Sequence, residues 1–166
     1  MEIKNEELEL TRVILTSFFR IHRHFGKWLH ATMINNDLNV PQFIILQSMP
    51  PGQIVPQKIV GKKLLFPKST LSSSVDGLVS LGFLQRIISE ENRREVSLLV
   101  TEAGKEKLQA VYNDPDGLHQ KMTAILTQYP KESIDILLEM HSQLYELMLQ
   151  EETTEIGGKA SDKTLS

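Results

Sequence analysis

The chain has no cysteine, no apolar run near the roughly 20 residues that a membrane helix needs, and no glycine-rich loop of the kind that cradles phosphate. Without cysteine there is no disulfide, no thiolate metal site, no cysteine nucleophile and no thiol-based redox sensing. A nucleophile beside its base, and paired carboxylates in a setting that raises a pKa, are also missing, so no catalytic residue is assigned and no cofactor is expected. Of the five histidines, His22 and His24 stand two apart on a helix and face different ways. His30, His119 and His141 have no partner at a ligand spacing. No metal site is assigned, and one assembled between helices is left as the alternative. The opening Met1-Glu2-Ile3-Lys4-Asn5-Glu6-Glu7 carries acidic charge that secretory signals avoid, so the expected compartment is the cytoplasm, with no membrane partner.

What is present is a 166-residue chain with 40% hydrophobic residues, enough for one substantial core and a second small one. The net charge is −3, and it is unevenly spread. Residues 54–94 hold seven Lys and Arg against Asp76, Glu90 and Glu91, a net of +4 that leaves −7 for the rest. A basic segment inside an acidic chain is the footprint of a surface that meets nucleic acid, the alternative being a solvated face.

Between Glu6 and Asn35 there is no proline and one glycine, and Leu10, Ile14, Phe18, Ile21, Phe25 and Trp28 recur at helical steps, which predicts one long helix. Asn35, Asn36 and Asp37 break it, and Asn39 with Gln42 three residues later forms a capping box for a second helix that ends before Pro50-Pro51-Gly52. After an extended piece at 53–55, Pro56 starts a short helix with Ile59, Val60 and Leu64 on its apolar face. Leu65-Phe66 turns the chain and Pro67 opens the next helix at its first position. Leu71, Val75 and Leu78 form that helix's buried stripe, and Gly82 stops it. The β-rich segments 83–89 and 95–100, separated by Glu90-Glu91-Asn92-Arg93-Arg94, predict a two-stranded hairpin with a charged tip. Thr101 caps a following helix, Asp114-Pro115-Asp116 a second one, and a last helix runs from about Lys131 to Gln150. Residues 151–166 are polar, contain Gly157-Gly158 and show no periodicity, which predicts a disordered tail.

Three helices followed by a hairpin, with two short helices joined by a tight turn, is the winged helix-turn-helix order, in which the second short helix enters the major groove. With 71, 75 and 78 inward, Lys68, Ser69, Ser72 and Ser73 share the free face. Small hydroxylated side chains allow close approach to phosphates and base edges, where a purely structural helix more often carries Glu and Lys. The alternative is a serine-rich helix cap, and the basic hairpin that follows favours the DNA face.

These residues together resemble the MarR family. Gln42-Phe43-Ile44-Ile45-Leu46 is similar to its second-helix pattern, Lys68-Ser69-Thr70-Leu71-Ser72 to the recognition-helix start, and Val75-Asp76-Gly77-Leu78 to its middle. Gly82-Phe83-Leu84-Gln85-Arg86, Asn92-Arg93-Arg94 and Val100-Thr101-Glu102-Ala103-Gly104 are similar to the wing's first strand, its tip and its exit. The resemblance implies a mainly α fold with a small β-hairpin, in which residues 36–101 bind DNA and residues 1–35 with 102–150 form a helical dimerisation domain. It implies a sequence-specific transcriptional regulator, more commonly a repressor, that binds a pseudo-palindromic double-stranded operator as a homodimer. DNA contacts fall to Lys68, Ser69, Thr70, Ser72, Ser73, Arg86, Arg93 and Arg94.

The chain departs from the family in three places, and Gly77 carries a cost of its own. Asn92 stands where an aspartate usually holds the wing arginine, so Arg94 would be held without a charge-assisted bond. Ser73 replaces a basic residue, Pro67 replaces a capping serine, and Gly77 costs about 1 kcal/mol within a helix.

The terminal helices have no third layer to cover their stripes within one chain, which predicts dimerisation through Leu10, Ile14, Ile134, Leu138, His141, Leu144 and Tyr145. The family also implies a small aromatic or amphipathic ligand, whose lining would come from Phe18, Ile21, Phe25, Phe43 and Leu46. Ordinary core is the preferred reading of those five. Two further alternatives stay open: a winged-helix module that binds protein instead of DNA, and, less favoured because few residues are left for a catalytic domain, an enzyme with a winged-helix appendage.

Overall fold

The computed structural model describes residues 5–88 and 95–161, with side chains as far as residue 151. The elements in chain order are α1 (Asn5–Asn35), α2 (Val40–Ser48), β1 (Val55–Pro56), α3 (Gln57–Leu64), α4 (Lys68–Ser80), β2 (Leu84–Ile88), β3 (Val96–Val100), α5 (Glu102–Asn113), α6 (Leu118–Leu126) and α7 (Lys131–Ser161). The chain divides into two compact units, Met1–Lys121 and Met122–Ser166, with the boundary inside α6. Among the described residues no helix is long and apolar enough to cross a membrane.

The first unit is organised around α2. Its capping box is complete, with the Gln42 amide donating to the Asn39 side chain and the Asn39 amide donating to the Gln42 side chain, both at 2.9 Å. The cap sets the direction of α2, which drives Phe43, Ile45 and Leu46 into a core shared with Met33, Val60, Val75, Leu78, Leu84, Leu98 and Val111. The C-terminal end of α1 is tied to the same unit by polar groups. The Thr32 hydroxyl donates to Trp28 O and accepts from the Leu118 amide, and Asn36 donates to Thr32 O and to the Asp114 carboxylate. These bonds satisfy groups that burial would otherwise penalise by about 1–3 kcal/mol each.

The sheet has three antiparallel strands in the order β1-β3-β2, where the sequence predicts a two-stranded hairpin. The extra strand is the two-residue piece Val55–Pro56, paired with Leu98 and Ser97. Two residues carry no readable alternation, and a proline, lacking an N–H, fits a strand edge. Pro56 therefore belongs to β1 and precedes α3 instead of forming its first turn. In the hairpin proper, Leu84 pairs with Val100, Arg86 with Leu98 and Ile88 with Val96. That register turns Leu84, Leu98 and Val100 inward.

In the second unit α7 continues to Ser161, past the expected end at Gln150. No proline interrupts the chain beyond Pro130, so a helix already nucleated extends by one hydrogen bond per residue. Its described side chains Leu138, Leu144 and Tyr145 are exposed, as are Leu10 and Ile14 on α1.

Candidate nucleic-acid interface

The helix-turn-helix is α3, the turn Leu65–Pro67, and α4. Leu65 takes a left-handed conformation at φ 52°, which reverses the chain, and Pro67 sits one position before the helix instead of at its first residue. Leu71, Ser74, Val75 and Leu78 hold α4 against the core, with Val75 and Leu78 fully buried. Ser74 is thus enclosed, between the inward positions 71 and 78. The opposite side presents Lys68, Ser69, Ser73 and Asp76 as exposed side chains, with Thr70 and Ser72 half-buried beside them. Ser73 donates to Thr70 O at 3.2 Å. Pro67 gives the helix no side-chain cap, so the first-turn amides face outward beside Lys68 without one.

Arg86 lies on β2, and its guanidinium pairs with the Asp76 carboxylate of α4. Arg86 thus borders the face that carries Lys68, Ser69, Ser73 and Asp76, half-exposed and paired with an acid. Asn92, Arg93 and Arg94 lie outside the described residues.

Gly77 changes meaning once the packing is seen. A Cβ there would stand 2.6 Å from Gln42 Nε2, so its absence lets α4 lie close against the amide that completes the α2 capping box. What sequence alone counts as a loss of helix propensity leaves room for the Gln42 side chain between α2 and α4.

No protein-family model matches the chain. A curated HTH-type transcriptional repressor of Bacillus subtilis (strain 168), YetL, is 29% identical over 87 residues, which are 52% of this chain and 50% of that protein. The chain thus matches about half the length of that relative. Among solved structures, a MarR family transcription regulator superposes with a TM-score of 0.73 at 13% identity, over 87% of this chain and 94% of the other. Reduced AbfR bound to DNA gives 0.67 at 18% identity, over 88% and 99%. The fold is that of the MarR-family regulators.

The MarR-type fold also shows where the remaining sequence assignments fall. Phe43 and Leu46 are enclosed in the core, with Phe43 edge-on to Tyr112 and His119. Phe18, Ile21 and Phe25 are exposed along α1. An open, shallow depression lies on the surface of α1 itself, beside His22, Arg23, Gly26, Lys27, His30, Ala31 and Ile34. The same helix has no acidic residue between Glu9 and Asp37, so its positive charge there is uncompensated within the helix. His119 packs at 4.6 Å from the Tyr112 ring, and burial lowers its pKa and raises that of Tyr112. Among the described residues no three His, Cys, Asp or Glu side chains converge as a metal site.

Proposed function

We propose that the protein is a DNA-binding transcriptional regulator that acts as a homodimer and most commonly represses. The observation that carries this reading is the free face of α4, where Lys68, Ser69 and Ser73 are exposed on a helix whose other side is locked into the core. A helix presented in this way, with short hydroxylated side chains and a cation at an end whose amides have no side-chain cap, matches what a major groove and its flanking phosphates require. The relative named as a repressor and the structural neighbour described as bound to DNA support the same reading. Residues 36–101 would form the DNA-binding part, and the helices on either side would join two copies.

Selection of genomic fragments with the purified protein, followed by footprinting and salt titration, tests the proposal. A protected pseudo-palindrome with half-sites about 10 base pairs apart is expected. Arg94→Ala should weaken binding several-fold and reduce the salt slope by about one, with little change in sequence preference. Unchanged affinity and slope would remove Arg94 from the interface. Absence of any salt-dependent shift would favour a protein-binding winged helix.

The homodimer is supported by exposed apolar side chains on each terminal helix, Leu10 and Ile14 on α1 and Leu138, Leu144 and Tyr145 on α7. Light scattering should give twice the chain mass at concentrations where DNA is bound. A monomer that still footprints the operator would overturn the dimer. Of the five residues considered for a ligand-dependent release, Phe18, Ile21 and Phe25 are exposed and Phe43 and Leu46 are buried.

A further inference from the structure

His119, in the first turn of α6, closes a cluster of three rings that joins three helices of the first unit. Its imidazole stands edge-on to Tyr112 of α5 at 4.6 Å and to Phe43 of α2 at 5.8 Å, and Phe43 and Tyr112 meet at 6.4 Å. The residues on either side of it are tied down, the Leu118 amide donating to Thr32 Oγ1 on α1 and Gln120 Nε2 donating to Tyr112 O. Among the described residues, His119 Nδ1 is buried with no hydrogen-bond partner. A neutral imidazole can leave that nitrogen unprotonated, whereas an imidazolium must place a charged N–H where nothing accepts it. The surrounding elements do not supply the acceptor. α2 has no charged side chain, and α5 offers Tyr112, whose hydroxyl burial keeps neutral to higher pH. In the α5–α6 turn the Asp114 carboxylate accepts from Asn36 and from the Asp116 amide, and Asp116 is exposed. Lys121 stands over the Trp28 ring and adds a like charge, and the C-terminal part of α1 adds Lys27, His30 and Asp37, all exposed.

We propose that His119 is an acid-sensitive latch: neutral, its ring fixes α2 against α5 and α6, and protonation expels the ring from the cluster, loosens α2 and weakens the grip of α4 on DNA. Phe43 shares a core with Val75 and Leu78 of α4, and the neighbouring Gln42 lies against Gly77, so a displaced α2 displaces the helix offered to DNA. The effect on DNA rests on the DNA-binding reading of α4, and the latch itself does not. Burial holds the His119 pKa below its ordinary value of about 6.5, so in the acid range the unfolded chain binds a proton that the folded one resists. The stabilisation is therefore complete above about pH 6.5 and is lost as the pH falls from there through the folded pKa.

The first measurement is the melting temperature between pH 7.5 and pH 5.5 of the wild type and of His119→Phe, which keeps a ring in the cluster and cannot take a proton. The wild type is expected to lose about 5 °C more than the variant over that range, and parallel curves would overturn the latch. His119→Gln guards against repacking by the larger ring: it should melt below the wild type at pH 7.5 yet show the same flattened pH dependence, and a wild-type pH dependence in it would also overturn the latch. The triple variant His22→Gln, His24→Gln, His30→Gln, changed only at exposed positions of α1, should keep the wild-type pH dependence. Loss of the dependence there would assign it to α1 and not to His119. The second measurement is fluorescence anisotropy on a duplex selected by the wild type at pH 7.5. From pH 7.5 to 5.5 the wild-type affinity should fall about tenfold further than that of His119→Phe. Equal falls would overturn the control of DNA binding. Wild-type protein that binds no duplex at pH 7.5 would overturn the DNA-binding reading, while the melting curves still decide the latch.

Discussion

Ser69→Trp is expected to abolish specific DNA binding, lowering affinity for the selected operator by about a thousandfold or more, to the level of random DNA. Ser69 lies in the first turn of α4, exposed beside Lys68 and Ser73, while Leu71, Val75 and Leu78 anchor the helix from behind. The anchor matters because it prevents the helix from withdrawing to accommodate a larger group, so an indole must occupy the space the base edges need. Phosphate attraction through the basic residues persists, which is why binding should fall to the non-specific level and not vanish. Ser69→Ala removes at most one hydrogen bond and should cost no more than about tenfold. Circular dichroism and the melting temperature of Ser69→Trp should match wild type, since the site is exposed. A tryptophan variant that footprints the same operator within tenfold of wild type would show that this face of α4 does not read DNA.

How much of this was legible in the sequence depends on the range of the interaction. Asn39 with Gln42, Leu71 with Val75 and Leu78, and Thr101 as the cap of α5 are all set by neighbours within four or so residues, and each appears in the structure where the sequence puts it. The hairpin was visible because five-residue strands carry enough β-branched residues to change the period. The strand Val55–Pro56 was not, because two residues have no period and its pairing is with residues some forty positions later. The Asp76–Arg86 pair and the fit of Gln42 against Gly77 likewise need the third dimension: each joins elements whose separation in sequence carries no geometric rule. The five side chains considered as a ligand lining show the same limit. Helical spacing makes Phe25 and Phe43 equally apolar, but only packing decides that one is exposed and the other enclosed.

Gly104→Ala is expected to destabilise the protein by about 3 kcal/mol, lowering the melting temperature by roughly 10 °C. Helix propensity alone points the other way, since alanine in a helix is favoured over glycine by up to about 1 kcal/mol, so the sign of the effect discriminates between local preference and packing. Gly104 is in the first turn of α5, and its amide donates to the Thr101 hydroxyl at 3.1 Å. An added Cβ would lie 2.2 Å from Phe83 O and 2.9 Å from Val100 Cγ1. The carbonyl cannot turn aside cheaply, because it accepts from the Thr101 amide at 3.1 Å while the Phe83 amide is held by Leu78 O. The helix must therefore move away from the sheet, loosening the same Thr101 that caps α5 and bonds to Gly82 O. Gly26→Ala on α1 is the internal control, because a Cβ there meets nothing within 4 Å and should leave stability equal or slightly raised. If Gly104→Ala melts at or above the wild-type temperature, the close approach of α5 to the α4–β2 turn is wrong. The seat of the hairpin on α5 would then have to be redrawn.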